Sequence, residues 1–133
     1  MAKKKVREPE YSLNIFHHYD EKIKRNVIVF LVQTIRIFVS FRYEILLEEA
    51  VHGSVIDLKI VGLHVPELLM PQTGPAAGRR DFKELQGSYT LNISKQDKTL
   101  NIFQIEILPD TVEIRQKPNN AFLIVSNEPV SLA

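Results

Sequence analysis

The chain contains no cysteine and no tryptophan. Without cysteine there is no disulfide, no thiolate metal ligand and no cysteine nucleophile, and a chain of 133 residues is long enough to bury a core without such staples. That absence leans towards a reducing compartment, and a cytoplasmic protein is expected. The lack of tryptophan, with only four tyrosines, argues against a glycan platform, which depends on flat aromatic rings. Long apolar runs are also scarce. The most apolar window, Val27 to Phe41, is rich in β-branched residues and interrupted by Arg36, too short for the roughly 20 residues of a membrane-spanning helix. The start, MAKKKVREPEYSL, is basic but leads into no apolar segment, so neither a signal peptide nor membrane association is expected.

Catalytic motifs are missing as well. The chain has no G-x-S-x-G elbow and no H-E-x-x-H pair. The nearest glycine-rich segment, Gly74 to Arg80, lacks the Lys-Ser/Thr end of a phosphate-binding loop, and Pro75 removes a backbone donor that such a loop uses. Glu48 and Glu49 are adjacent, so on a strand they project to opposite faces and form no dyad. Of the four histidines, His17 and His18 are likewise split between faces, His52 stands alone, and His64 falls on the core-facing parity of its strand. No catalytic residue, metal site or cofactor is expected, and the protein is read as a non-enzyme.

What the sequence does contain is alternation. From Ile35 to Leu47 every odd position is apolar, with Arg36, Ser40, Arg42 and Glu44 among the even ones; this is the period of a half-buried strand. Parity places Ile56, Leu58 and Ile60 of a return arm on the face of Ile45 and Leu47, giving a long hairpin from Ile35 to Val65. A turn at His52-Gly53 sets Glu48 against Asp57, so a four-residue loop, Ala50 to Gly53, pairing Leu47 with Ile56 and Glu44 with Lys59, is the preferred register. In it Gly62 faces Phe41. The outer face of this hairpin carries Phe38, Leu46, Val55, Val61 and Leu63, more apolar surface than a face meant only for water.

Elsewhere, Tyr11 to Tyr19 forms a first strand, and Val27 to Val32, apolar at every position, suits a strand covered on both faces. A single strand from Val27 to Val51 would run about 80 Å at roughly 3.3 Å per residue, against a radius of gyration of about 14 Å for a compact domain of this size. The interruption is placed at Gln33-Thr34, the polar pair in the run. After Pro66 the pattern dissolves, with three prolines and three glycines between residues 66 and 87; this is read as a long loop. Alternation returns in Tyr89 to Ile93, Leu100 to Leu108, Val112 to Gln116 and Phe122 to Val125, separated by turn residues.

These patterns define an all-β protein: an antiparallel β-sandwich of about eight strands around a long hairpin, with a small β-barrel as the alternative. The organisation is a basic tail at 1–10, one domain at 11–127 and a polar tail at 128–133. Residues 1–25 hold seven Lys or Arg against four acids, which makes nucleic-acid binding through the N-terminus the third-ranked role. First is a protein-interaction or assembly module, a homo-oligomer or a complex with another protein, using the hairpin's outer face. Second is a domain binding a small anion or glycan, with Gly78, Arg79 and Arg80 of the loop as the ligand clamp. The simpler account of those arginines is solubility, or pairing with Asp81 and Glu84; on either reading, replacing both leaves the fold intact.

Overall fold

A computed structural model describes residues 9–39, 43–65 and 73–132. The described residues form nine strands: β1 (Tyr11–Asp20), β2 (Arg25–Phe38), β3 (Glu44–His52), β4 (Val55–His64), β5 (Gly74–Phe82), β6 (Gly87–Ser94), β7 (Leu100–Ile107), β8 (Val112–Gln116) and β9 (Leu123–Ser126). They form one mixed sheet in the order β8-β7-β6-β4-β3-β5-β2-β1-β9, nearly closed into a barrel. The all-β class holds, and the arrangement fits the barrel alternative. Two of the junctions are narrow. Among the described residues β3 and β5 pair, in parallel, only at Glu44 and Ala77, and β8 approaches β1 without a ladder between them.

The core follows from alternation. Leu13, Ile15, Ile28, Phe30 and Val32 line the interior from one side, and Leu91, Ile93, Phe103, Ile105 and Ile107 from the other, with Leu47, Leu58 and Ile60 between. The continuous apolar run in β2 is covered on both faces. Its outer residues Val27, Val29 and Leu31 join Phe16 in a second cluster beneath Val130 and Leu132. The segment read as a polar tail at 128–133 therefore supplies a cover for the sheet, anchored by Asn14 Nδ2 donating to the Glu128 carbonyl at 3.0 Å. The eight residues before Pro9 lie outside the described residues; Glu10, assigned to the basic tail, is fixed by its amide donating to the Phe122 carbonyl at 2.7 Å.

Parity misleads in two places, each beside a register shift. The β2–β5 register shifts between Gln33 and Ile37, where the polar pair stands: Thr34 Oγ1 accepts the Ala76 amide and donates to the Arg36 carbonyl, both at 2.8 Å. From Gln33 to Ile37 β2 takes four steps while β5 takes two from Ala77 to Pro75, and an even surplus leaves the inward parity unchanged. Ile28, Phe30 and Val32 face the core before the shift and Phe38 packs on it after, so the change to the odd inward positions of Ile45 and Leu47 falls between Phe38 and Ile45. Ile35 and Ile37, expected inside, are 49% and 53% exposed, while Phe38, expected outside, packs on the core with its ring 4.8 Å from that of Tyr43. β2 thus ends at Phe38, and the hairpin proper is Glu44–His64. The second shift, between Leu46 and Leu47, inserts Val61 in β4. It brings Gly62 opposite Leu46, Leu63 opposite buried Ile45, and turns His64 to solvent beside Glu44; Phe41 lies outside the described residues.

The hairpin loop is also shorter than expected. His52 pairs with Val55 and Glu48 with Lys59 around a two-residue turn, Gly53-Ser54. Gly53 has φ +58°, the left-handed value that the first position of such a turn requires. The register keeps the parity of the apolar rows and replaces the Glu48–Asp57 clash with an opposite-charge pair.

The largest correction is β5. GPAAGRRDF, read as the middle of a loop, is a strand between β2 and β3. Its composition reflects crowding: Ala76 is completely buried, and a Cβ on Gly78 would stand 2.5 Å from the Ile45 carbonyl oxygen. Pro75 lies opposite Ile37 at the register shift, a position where a strand tolerates a missing donor.

Candidate functional site

The three residues assigned to an anion clamp lie on β5, and their groups are engaged within the protein. Arg79 stands opposite Leu31 on the outer face and holds Asp81 through two bonds of 2.7 and 2.8 Å. That hydrogen bond raises the guanidinium's pKa above its usual value, against the opposing effect of burial. Arg80 stands opposite Phe30 on the inner side and crosses to β3, where it donates to Glu49 Oε2 at 2.8 Å and to the Leu47 carbonyl at 2.6 Å. Beyond Glu44 that edge of β3 has no ladder partner, so Arg80 supplies a donor that a neighbouring strand would otherwise provide. Gly78 lets the two strands approach. The expected partner Asp81 is found; Glu84 is replaced by Glu49.

The residues assigned to an interface are not one face. Phe38 belongs to the core cluster's margin, and Val55 is half-buried at the hairpin turn opposite His52. Leu46, Val61 and Leu63 are 42%, 36% and 44% exposed. Among the described residues no three acidic or histidine side chains gather as a metal-binding group.

A different place brings polar groups together. At the end of the barrel where β1 and β8 fail to pair, a cleft of about 800 Å³ opens between the start of β2, the β5–β6 connection and the end of β7, within the size range of small-ligand sites. The β1–β2 turn is shaped by Asp20 Oδ1 accepting the Lys22 amide at 2.9 Å and by Lys24 at φ 54°. It delivers Arg25 and Asn26 to the rim. Arg25 Nη2 donates to the Lys83 carbonyl at 3.0 Å, which locks the two residues together. The chain then enters β6 through Gly87, whose φ of +88° makes the bend.

The third wall closes through His17. It lies on the interior parity of β1, opposite Ile28, and its Nε2 stands 2.7 Å from the Leu108 carbonyl and 3.2 Å from that of Thr111. Both partners are acceptors, so Nε2 carries the proton. This contact spans the unpaired β1–β8 junction and holds the β7–β8 turn over the cleft.

Beneath the rim the floor is apolar. Ile28 and Ile107 are 4% and 3% exposed members of the main core that also line the cleft, and Leu85, packed on the same core, lines it with them. The charges above are unbalanced. Glu106, the acid of the cleft, is bonded to Arg115. Arg25 and Lys83 have no carboxylate partner among the described residues. Two cations thus line a cleft with an apolar floor, and neither forms an ion pair among the described residues, although Glu84 lines an adjoining recess with both.

Sequence reasoning missed both. Arg25 was counted with the basic N-terminal region, and Lys83 lies in the segment read as a loop. The two are 58 positions apart, and no spacing links them; only the sheet order does. No known protein family, characterised protein or solved structure is similar enough to the chain to match it.

Proposed function

We propose that this protein is a non-enzymatic binding domain for a small anionic ligand, held in the cleft between β2, the β5–β6 connection and β7. One observation carries the reading: Arg25 and Lys83 meet on the rim of a cleft with an apolar floor and have no acidic partner among the described residues. An anion there gains a charge-assisted contact from each, and Asn26 and Gln86 add amide donors on the same rim. The ligand class is that of the second role derived from sequence, moved from Arg79 and Arg80 to Arg25 and Lys83.

The test is an amide-shift titration with a panel of small anions. Shifts should centre on residues 25–28 and 83–87 and weaken with added salt, since the cations are exposed. Arg25→Ala with Lys83→Ala should lower affinity at least tenfold while leaving thermal stability within about 0.5 kcal/mol of wild type. Unchanged binding in the double variant overturns the proposal.

A second reading, self-association, is favoured by the exposed aliphatics Ile35, Ile37, Leu46, Val61 and Leu63. Sedimentation across a wide concentration range tests it: a stable dimer weakened by Leu46→Lys supports the assembly role, and a monomer at every concentration removes it.

A further inference from the structure

Resting on the anion site just proposed, we infer that its ligand is an amphiphile: a carboxylate bound by Arg25 and Lys83, with an apolar tail lying on Ile28, Leu85 and Ile107. A site for a bare inorganic anion surrounds it with donors. Here the donors stand on one side only. Below them Ile28 and Ile107 belong to the barrel's own core, so the cleft floor is the edge of the core beside the unpaired β1–β8 junction. A ligand that presented only charge makes no use of that floor; an apolar tail laid on it and on half-buried Leu85 is itself removed from water, the dominant favourable term in such sites.

The head group follows from Arg25. One of its five N–H groups donates to the Lys83 carbonyl, and no other bond occupies the rest among the described residues. A guanidinium with free parallel donors matches the two oxygens of a carboxylate, and the Lys83 ammonium adds a second charge without geometric demand. Glu106, already bonded to Arg115, limits how much negative charge the cleft accepts, which favours a monoanion. His17 defines the tail's far boundary by holding the Leu108 carbonyl across the opening.

Three probes separate head from tail: acetate, octanoate and 1-octanol, each titrated into the full chain and followed by amide shifts. Octanoate should bind at least tenfold more tightly than either of the others, with shifts at both Arg25 and Ile107. Leu85→Asn should bring octanoate's affinity down towards that of acetate and leave acetate unchanged, the retained acetate binding showing that the variant is folded. Equal affinities for acetate and octanoate overturn the amphiphile while leaving the anion site standing. Octanol binding as tightly as octanoate makes the cations irrelevant and removes both proposals, as does the absence of any shift at the cleft with all three probes.

Discussion

Two pairs of cations in this protein have opposite situations. Arg79 and Arg80 are neighbours in sequence and stand out on inspection, yet each is matched: one by Asp81 on its own strand, the other by Glu49 and a backbone carbonyl across the β3–β5 junction. Arg25 and Lys83 are far apart in sequence and attract no notice, yet they share a cleft and have no acid of their own among the described residues. A cation's availability depends on the partner that the fold places beside it. The same contrast holds for the two narrow junctions of the barrel. The β3–β5 junction is closed by a small residue and a long one, Gly78 and Arg80; the β1–β8 junction is bridged by a histidine and left open below it.

The contrast can be broken by mutation. Gly78→Val should have the largest effect, because the new Cβ meets the Ile45 backbone oxygen at 2.5 Å and neither strand can move freely; a loss of about 3 kcal/mol, read as a lower urea midpoint, is expected from such overpacking. A small loss would mean that β5 sits further from β3 than described. Next, Arg80→Ala removes the partners of Glu49 and the Leu47 carbonyl and should cost about 1 to 2 kcal/mol, the penalty for a partly buried acceptor left without a donor. If Arg80→Ala leaves the urea midpoint where it was, Arg80 returns to the pool of available cations and the comparison fails.

Gly53→Val tests a place away from both junctions. Nothing stands within 4 Å of its Cβ position, so the effect isolates the positive φ, and a loss of about 1 to 2 kcal/mol in thermal unfolding is expected. The smallest effect belongs to Arg79→Ala. Its ion pair with Asp81 lies on the surface, with side chains 37% and 29% exposed, and exposed pairs contribute about 0.2 to 1 kcal/mol. Equal losses for Arg79→Ala and Arg80→Ala would show that the cross-strand bond adds nothing beyond a surface pair.

How much was legible can be argued strand by strand. In β6 and β7 the alternation read from sequence is the alternation found: Leu91, Ile93, Phe103, Ile105 and Ile107 are all buried at 3% exposure or less. The pairing of these two strands runs unbroken from Gly87 to Ile107, so parity carries through. In β4 it carries only to the bulge, and in β2 the even positions stay inward as far as Phe38. Ile35 and Phe38 take the faces opposite to those assigned because the odd-inward alternation of β3 does not extend back into β2; past Val61, His64 turns to solvent. Nothing in the local pattern marks the extra residue, because a bulge is defined by the partner strand. β5 was illegible for a related reason. Glycine, proline and alanine weaken an isolated strand, and their value here comes from the tight space between β2 and β3.

The sequence by itself determined the all-β class, most of the strands, and the inner faces of those without bulges, because alternation within one strand is a local property. It also placed the irregularity at Gln33-Thr34 and a positive φ at Gly53. Only the tertiary structure decided that a proline- and glycine-rich stretch is a central strand, that β2 keeps its even positions inward as far as Phe38 while a bulge at Val61 shifts the end of β4, and that Arg80 meets Glu49 while Arg25 meets the backbone of Lys83. Those outcomes depend on which strands lie side by side. That order is set by the burial of the whole core, so no window of the sequence contains it.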